Sequence, residues 1–485
     1  MTATLDGAPP TAPLARATCG AWLGFAGVMG ATVMDLLDST VVGVAAPAIR
    51  ADLGGSYATM QWMAAGYTLA LAVLLLVGGR LGDMFGRRRM LLVGVAGFTA
   101  VSLLCALAWN PEVLAGARIA QGAFGAVMLP QGFGLLRDIF PPHQMAKAWG
   151  LFGPVMGIGA VVGPIVGGLL LEADVLGTGW RMVFLVNIPI GIVSYALAAR
   201  HLPTVAPVAA GSRLDLPGVA LAAAGTVLLI FPLVQGHELG WPGWTIAMMI
   251  AAVPVFAAFA RRQLRLTRRG RTPLIEPSIF GKRSYVAGVG FAVVFLAAMG
   301  AMFTVGVMLQ IGLGFSPMQA SLTMAPWAGG AVIGSIIAGT MTARLGRLLL
   351  HIGLVLMGAG VIGLVAAYQL AGVELGFLAL ALPLLVGGTG MGMIFVPMFD
   401  IILSGVGDHE TGSASGALGA LEQFGMTLGV AILGTVFFTI VGPVPTPQAA
   451  LAAGSVTALV TLGLVALAFV IAFAMPRRAT AHAHG

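Results

Sequence analysis

The chain has 485 residues, 59% of them hydrophobic and only 8% charged, with a formal net charge of +7 and a mean hydropathy of +1.00. Soluble domains carry about 25% charged residues, so this composition excludes one. Apolar runs of about 20 residues, enough to cross a bilayer as a helix, recur along the whole length and define an all-α polytopic membrane protein.

Residues 1–20 carry one acid, Asp6, and one base, Arg16, and the apolar segment that follows is far longer than the core of a signal peptide. It reads as a first permanent span. Apolar runs set against charged breaks predict fourteen spans. Six lie near 21–48, 58–79, 90–109, 113–136, 147–171 and 181–200; a middle pair lies near 214–236 and 243–260; six more lie near 285–310, 318–342, 348–370, 375–404, 413–441 and 452–475. The expected organisation is a tail over 1–20, a six-helix half over 21–200, a linking pair with a basic loop over 201–284, a second six-helix half over 285–475 and a tail over 476–485.

Of the 24 lysines and arginines, 21 fall on one side of these spans, including the eight from Arg261 to Arg283. Only Arg50 and Arg181 fall on the other, and Arg118 lies within a span. Cytoplasmic loops are the basic ones, which predicts both termini in the cytoplasm of a cell inner membrane. The net charge is therefore topological and calls for no nucleic acid. Trp22, Trp62, Trp109, Trp149, Trp180, Trp241 and Trp244 fall near span ends, as an interfacial aromatic belt requires. Trp327 sits about nine residues into its span and is a candidate to line a cavity. Cys19 and Cys105, at a span start and inside a span, form no disulfide or zinc framework. None of the seven histidines has metal-ligand spacing within a span, and no metal or cofactor is expected.

A short internal repeat pairs "GRLGDMFGR" (Gly79–Arg87) with "GTMTARLGR" (Gly339–Arg347), 260 residues apart and each following the second span of a six-span set. Two repeated halves with a site between them at mid-membrane are a transporter plan. The tight turn around the first copy needs Gly82 and Gly86 to join two spans in few residues. In "LAGARIAQGAFGA" (Leu114–Ala126) one arginine, Arg118, lies in an apolar span. A mid-membrane charge costs roughly 2.5–3.5 kcal/mol on insertion scales, which marks Arg118 as functional unless it snorkels to the outer end, roughly 8 Å away. In "GIGAVVGPIVGGLL" (Gly157–Leu170), Gly159, Gly163 and Gly167 share one helix face for close approach, and Pro164 removes a backbone hydrogen bond.

The pattern G-x-L-x-D-x-x-G-R-R resembles the loop between spans two and three of the major facilitator superfamily, where it latches the halves in one alternating state. The resemblance assigns that role to Gly79, Asp83, Gly86, Arg87 and Arg88; the second copy has Ala343 where Asp83 stands. L-x-x-x-R-x-x-Q-G around Arg118 is similar to the family's fourth-span motif, whose arginine serves proton coupling. G-x-x-x-G-P-x-x-G-G, with Gly159, Gly163, Pro164, Gly167 and Gly168, resembles the fifth-span signature of its antiporters and implies export. "GWRMVFLVNIPIG" (Gly179–Gly191), "LDSTVVGVAAP" (Leu37–Pro47) and the extra pair of spans resemble the fourteen-span drug:proton antiporter branch. Gly43 replaces that branch's usual asparagine, and Asp35 is an acid where it normally has an apolar residue. The resemblance runs from Gly20 to about Met475.

Asp35 and Asp38, three residues apart on one helix, face roughly the same way. Two buried carboxyls can hand over a proton when access or a bound cation changes, as a proton-for-substrate exchanger requires. The alternative is a structural role, such as a partner for Arg118. Asp400 and Glu422, in the twelfth and thirteenth spans, match no family acid and hint at cationic substrates or a second proton site. The expected proton-coupling set is thus Asp38, Asp35, Arg118 and Glu422, and the expected cavity set is Asp38, Asp35, Trp327, Asp400 and Glu422. The reading is a monomeric proton-driven exporter of amphipathic small molecules, cationic ones among them, or else of one metabolite or lipid. An embedded enzyme would need a nucleophile with a base, or a metal set, and none is found. A pore ring and a nucleotide-binding G-x-x-x-x-G-K-[ST] loop are also lacking.

Overall fold

The computed structural model describes residues 19–140, 163–174, 177–207, 214–271, 273–404, 406, 411–442 and 444–477. Among them, thirteen helices are long and apolar enough to cross a membrane, and a shorter apolar helix stands where the fifth span is expected. The first half of that span, with Gly159 and Trp149, lies outside the described residues.

In chain order the helices are α1 (Cys19–Leu53), α2 (Tyr57–Phe85), α3 (Arg87–Ala106), α4 (Pro111–Ile139), α5 (Gly163–Ala173), α6 (Gly179–His201), α7 (Leu216–Gln235) and α8 (Gly243–Arg268). They continue as α9 (Arg283–Gly312), α10 (Pro317–Leu345), α11 (Arg347–Ala371), α12 (Phe377–Leu403), α13 (Thr411–Val441) and α14 (Pro447–Ala472). The ends follow local chemistry. Ser56, Asn110 and Thr446 cap α2, α4 and α14 with their side-chain oxygens, leaving fewer first-turn N–H groups unpaired. Ser316 and Gln319 form a reciprocal capping box on α10.

The turns at the two repeat copies share one hydrogen-bond pattern. Gly86 (φ 93) and Gly346 (φ 50) each end one helix and start the next, and their N–H groups bond to Gly82 O and Thr342 O. Glycine takes this left-handed backbone without the clash that a Cβ brings. Gly82 serves a different purpose from the expected one: a Cβ there would stand 2.0 Å from Gln131 Oε1, so its role is close packing of α2 on α4. One further expectation is corrected. Trp180 is 3% exposed and donates its indole N–H to Asp52 (2.8 Å), so it is a packed side chain and not part of a belt. α8 continues as a helix past 260 to Arg268, carrying its arginines beyond the apolar stretch.

Packing repeats too. α2 lies on α4 through Gly78, whose Cβ would meet Ala126 O at 1.8 Å; α10 lies on α12 through Gly388, whose Cβ would meet Trp327 O at 1.9 Å. Small residues let helix backbones approach where lipid supplies no hydrophobic drive. Across the halves, α2 meets α13: Thr427 donates to Thr68 (2.7 Å), and Tyr57 stacks on Phe438 (4.4 Å between centroids). α7 lies over this seam, touching both helices. Thr435 of α13 donates to Leu233 O, and Glu238 after α7 accepts the Ala58 N–H at the start of α2 (2.8 Å).

Candidate functional site

A cavity of about 2070 Å³ lies between the halves. It runs from Gln310 and Ser321 near one end of the bundle to Arg80, Asp83, Arg87, Glu276 and Asp400 at the arginine-rich end. That volume exceeds the roughly 300–1,000 Å³ of a drug-sized pocket, so it is a passage as well as a site. At the far end the two halves are in contact. A Cβ on Gly168 of α5 would stand 2.9 Å from Met318 Cα of α10. One helical turn on, Glu172 accepts the Ser316 hydroxyl and the Met318 N–H (3.3 Å). Gly163 and Gly167 face α1 instead, where a Cβ would meet Thr40 Oγ1 at 2.1 Å and Val41 at 2.9 Å; Pro164 lines the cavity. The glycine-rich motif therefore seats α5 on both halves at once.

Beside the cavity, the first half buries a polar cluster. Arg118 and Asp38 are each 1% exposed and form an ion pair. Arg118 turns inward and does not snorkel: its guanidinium also donates to Met63 O (3.0 Å) and to Gln121 Oε1. Asp38 accepts further from Gln121 Nε2 (2.8 Å) and Asn187 Nδ2 (2.9 Å), and Gln121 donates to Ser102 (2.8 Å). One cation and one amide from α4 and one amide from α6 thus satisfy a carboxylate from α1. Buried charge is tolerated only when paired and hydrogen-bonded in this way.

Asp35 stands one turn away on the cavity wall, accepting the Tyr67 hydroxyl. The Arg118 guanidinium carbon lies 4.3 Å from the Tyr67 ring centroid, a cation–π contact. A chain of contacts therefore runs from the cavity through Asp35 and Tyr67 to Arg118 and Asp38. Arg118 also reaches the cavity wall, whereas Asp38, expected there, is absent from the lining and sits behind it. The two aspartates share a side of α1 but hold different partners.

The second half lines the same cavity with Trp327, Asp400 and Glu422. Asp400 is exposed at the arginine-rich mouth. Glu422 lies deeper, with a buried Oε1 that has no hydrogen-bond partner among the described residues. At the turn, Arg87 pairs with Asp83 (3.5 Å) and with Asp138 at the end of α4 (3.6 Å), all within one half. Arg88 donates to Ala199 O of α6. Gly79 and Arg80 face the cavity, and Arg80 donates to Pro273 O (2.9 Å) in the linker between halves. In the second copy, Arg347 holds the end of α14, donating to Phe473 O and Met475 O (2.7 Å each).

Sequence reasoning missed Tyr67, Asn187, Ser102 and Glu172. Gln121 and Asn187 stood inside motifs already singled out by their patterns, but nothing in the sequence sets Tyr67 apart.

A family model described as Major Facilitator Superfamily matches residues 28–430. The chain is 49% identical over 424 residues, 87% of its own length and 73% of the relative's, to the probable actinorhodin transporter of Streptomyces coelicolor. It is 34% identical to the tetracenomycin C resistance and export protein of Streptomyces glaucescens (87% and 77% covered). It is 36% identical to the cephamycin export protein CmcT of Amycolatopsis lactamdurans (83% and 82% covered). Among solved structures, it superposes on a bacterial homologue of the human peptide transporters PepT1 and PepT2 with a TM-score of 0.65 at 15% identity, covering 94% and 98% of the two chains. A bacterial homologue of the lysosomal transporter Spinster gives 0.64 at 16% identity, covering 95% and 98%. A multi-pass helical chain with repeated halves, a cavity between them and relatives that export small molecules is a transporter and not an enzyme, and it belongs to the major facilitator superfamily.

Proposed function

We propose that the protein is a proton-driven antiporter that expels an amphipathic small molecule by alternating access. The observation that carries this is the Asp35–Tyr67–Arg118–Asp38 chain, which links a cavity-facing carboxyl to a sealed ion pair. Proton arrival at Asp35 and substrate arrival in the cavity compete for one wall, which is the coupling an exchanger needs. Glu422 on the opposite wall is a second candidate for a proton or for a donor group on the substrate. Basic turns cytoplasmic, as the positive-inside rule directs, put both termini inside and make the present cavity inward-facing. The latch role of Gly79, Asp83, Gly86, Arg87 and Arg88 then belongs to the opposite, outward-facing state. The protein works as a monomer of two six-helix halves plus the α7–α8 pair.

Two substrate ranges follow from the same machinery. Wide apolar walls with isolated acids suit many lipophilic cations. The likeness to a probable actinorhodin transporter favours export of a single antibiotic-type metabolite, with other compounds incidental. Efflux of a fluorescent lipophilic cation from energised cells, wild type against Asp38→Asn, with and without a protonophore, tests the proposal. Collapse with the protonophore supports proton antiport, and collapse in Asp38→Asn at wild-type membrane abundance supports a place for Asp38 in its path. Undiminished export in both refutes it, and a wild type that moves no cation leaves the single-metabolite reading.

A further inference from the structure

The arginines at the end of α8 do more than mark a cytoplasmic loop. Sidedness requires bases in number, not at any particular azimuth on a helix. Arg261, Arg265 and Arg268 are exposed, and at 3.6 residues per turn they fall within an arc of roughly 60°. Continuing the same face into the span come Val253, Ile250 and Ile246, which are 70%, 67% and 47% exposed, and Leu264 (45%) flanks the stripe. The opposite face is pinned. Asp215, buried before α7, accepts from Arg262 (2.7 Å) and Gln263 (3.1 Å), and Gln263 accepts the Leu274 N–H (2.8 Å). With those bonds in place α8 cannot roll to bury its stripe.

We propose that this outward face of α8 binds one anionic phospholipid, its acyl chains along Ile246, Ile250 and Val253 and its phosphate held by Arg261, Arg265 and Arg268. The dimensions agree. Ile250 to Arg261 spans about 16 Å of helix, close to the roughly 15 Å half-thickness of a bilayer core. Residues 243–271 contain six arginines and no acid, so nothing on the helix competes for them. Guanidinium groups bind phosphate oxygens through paired, directional hydrogen bonds, and juxtamembrane basic clusters attract anionic headgroups.

The test uses delipidated full-length protein in detergent, with lipid adducts counted by native mass spectrometry. Dioleoylphosphatidylglycerol is expected to be retained at least tenfold better than dioleoylphosphatidylcholine. The variant R261Q/R265Q/R268Q loses that preference, and R261K/R265K/R268K keeps most of it. Since removing bases can disturb insertion, I250S/V253S provides a second arm that leaves every charge in place and lowers phosphatidylglycerol retention at least threefold. Equal retention of the two lipids, or a preference unchanged in R261Q/R265Q/R268Q and in I250S/V253S, overturns the proposal. Displacement of the lipid by millimolar inorganic phosphate, with no effect of I250S/V253S, overturns it in favour of a free-phosphate site.

Discussion

Removing one member of the Arg118–Asp38 pair should hurt more than removing both. Both side chains are sealed from solvent, at 1% and 0% exposure, and Asp38 is the acceptor for Gln121 and Asn187 as well. Asp38→Asn keeps the shape but sets an amide NH2 either against Arg118 or against the Gln121 and Asn187 amides, and in both orientations leaves the guanidinium without its counter-charge. Breaking a buried pair in this way costs about 3–5 kcal/mol, whereas replacing both partners with apolar groups of similar volume is often neutral. Asp38→Leu with Arg118→Met is therefore expected to be at least 2 kcal/mol more stable than the sum of the two single losses predicts, and inactive in transport. The assay is SDS-titration unfolding of purified protein followed by tryptophan fluorescence, run on wild type, both singles and the double. A cost below about 1 kcal/mol for each single, with additive behaviour in the double, would refute the view that the pair is one charge-compensated unit.

Three other outcomes follow from the geometry. Gly168→Val overpacks the seam against Met318; overpacking costs about 1–3 kcal/mol, so the closed seam should lose roughly 5- to 150-fold in population. Transport by Gly168→Val then falls at least fivefold while Leu169→Val, at an exposed neighbour, stays near wild type; equal rates would contradict the close fit. Asp215 lies outside the spans: burial alone raises its carboxyl, but Arg262, the Gly218 N–H and Gln263 hold it below the ordinary aspartate value. Its stabilising effect is present above about pH 4 and is lost as pH falls through the lower folded value. Asp215→Ala, which also removes the α7 cap, should cost about 1–2 kcal/mol at neutral pH, and the gap to wild type should close in acid; a gap that widens in acid speaks against the assignment. Finally, Glu238→Ala frees the Ala58 N–H, so hydrogen exchange at the start of α2 should quicken several-fold; unchanged exchange over 56–63 rules out the tie.

Much of the fold was legible because a bilayer forces it. Spans must be helical and apolar, charged breaks mark their ends, and the paired turns at Gly86 and Gly346 mirror the repeat read from nine residues. The buried charges were legible for the same reason, since an Arg118 or Asp38 in an apolar run stands out by its cost. What surrounds them was not. Amides and hydroxyls such as Gln121, Asn187, Ser102 and Tyr67 are inexpensive in a helix and carry no periodicity, so only the meeting of α1, α2, α3, α4 and α6 reveals them. Nor does sequence separate cavity from core at one-turn spacing: Asp35 faces the passage while Asp38 is sealed behind it. Trp180 was misread because a span-end position says nothing of whether a neighbour such as Asp52 waits there.

The placement of α7 across the seam of α2 and α13 has a consequence for how cargo arrives. Ile230 and Val234 pack with Leu69 and Ala431 there, joined by Trp62, Leu233, Phe424 and Leu428, so side chains fill this stretch of the seam. In the proposed export cycle cargo would then load through the mouth beside Arg80 and Asp400 and not at this stretch, although the two halves are built alike.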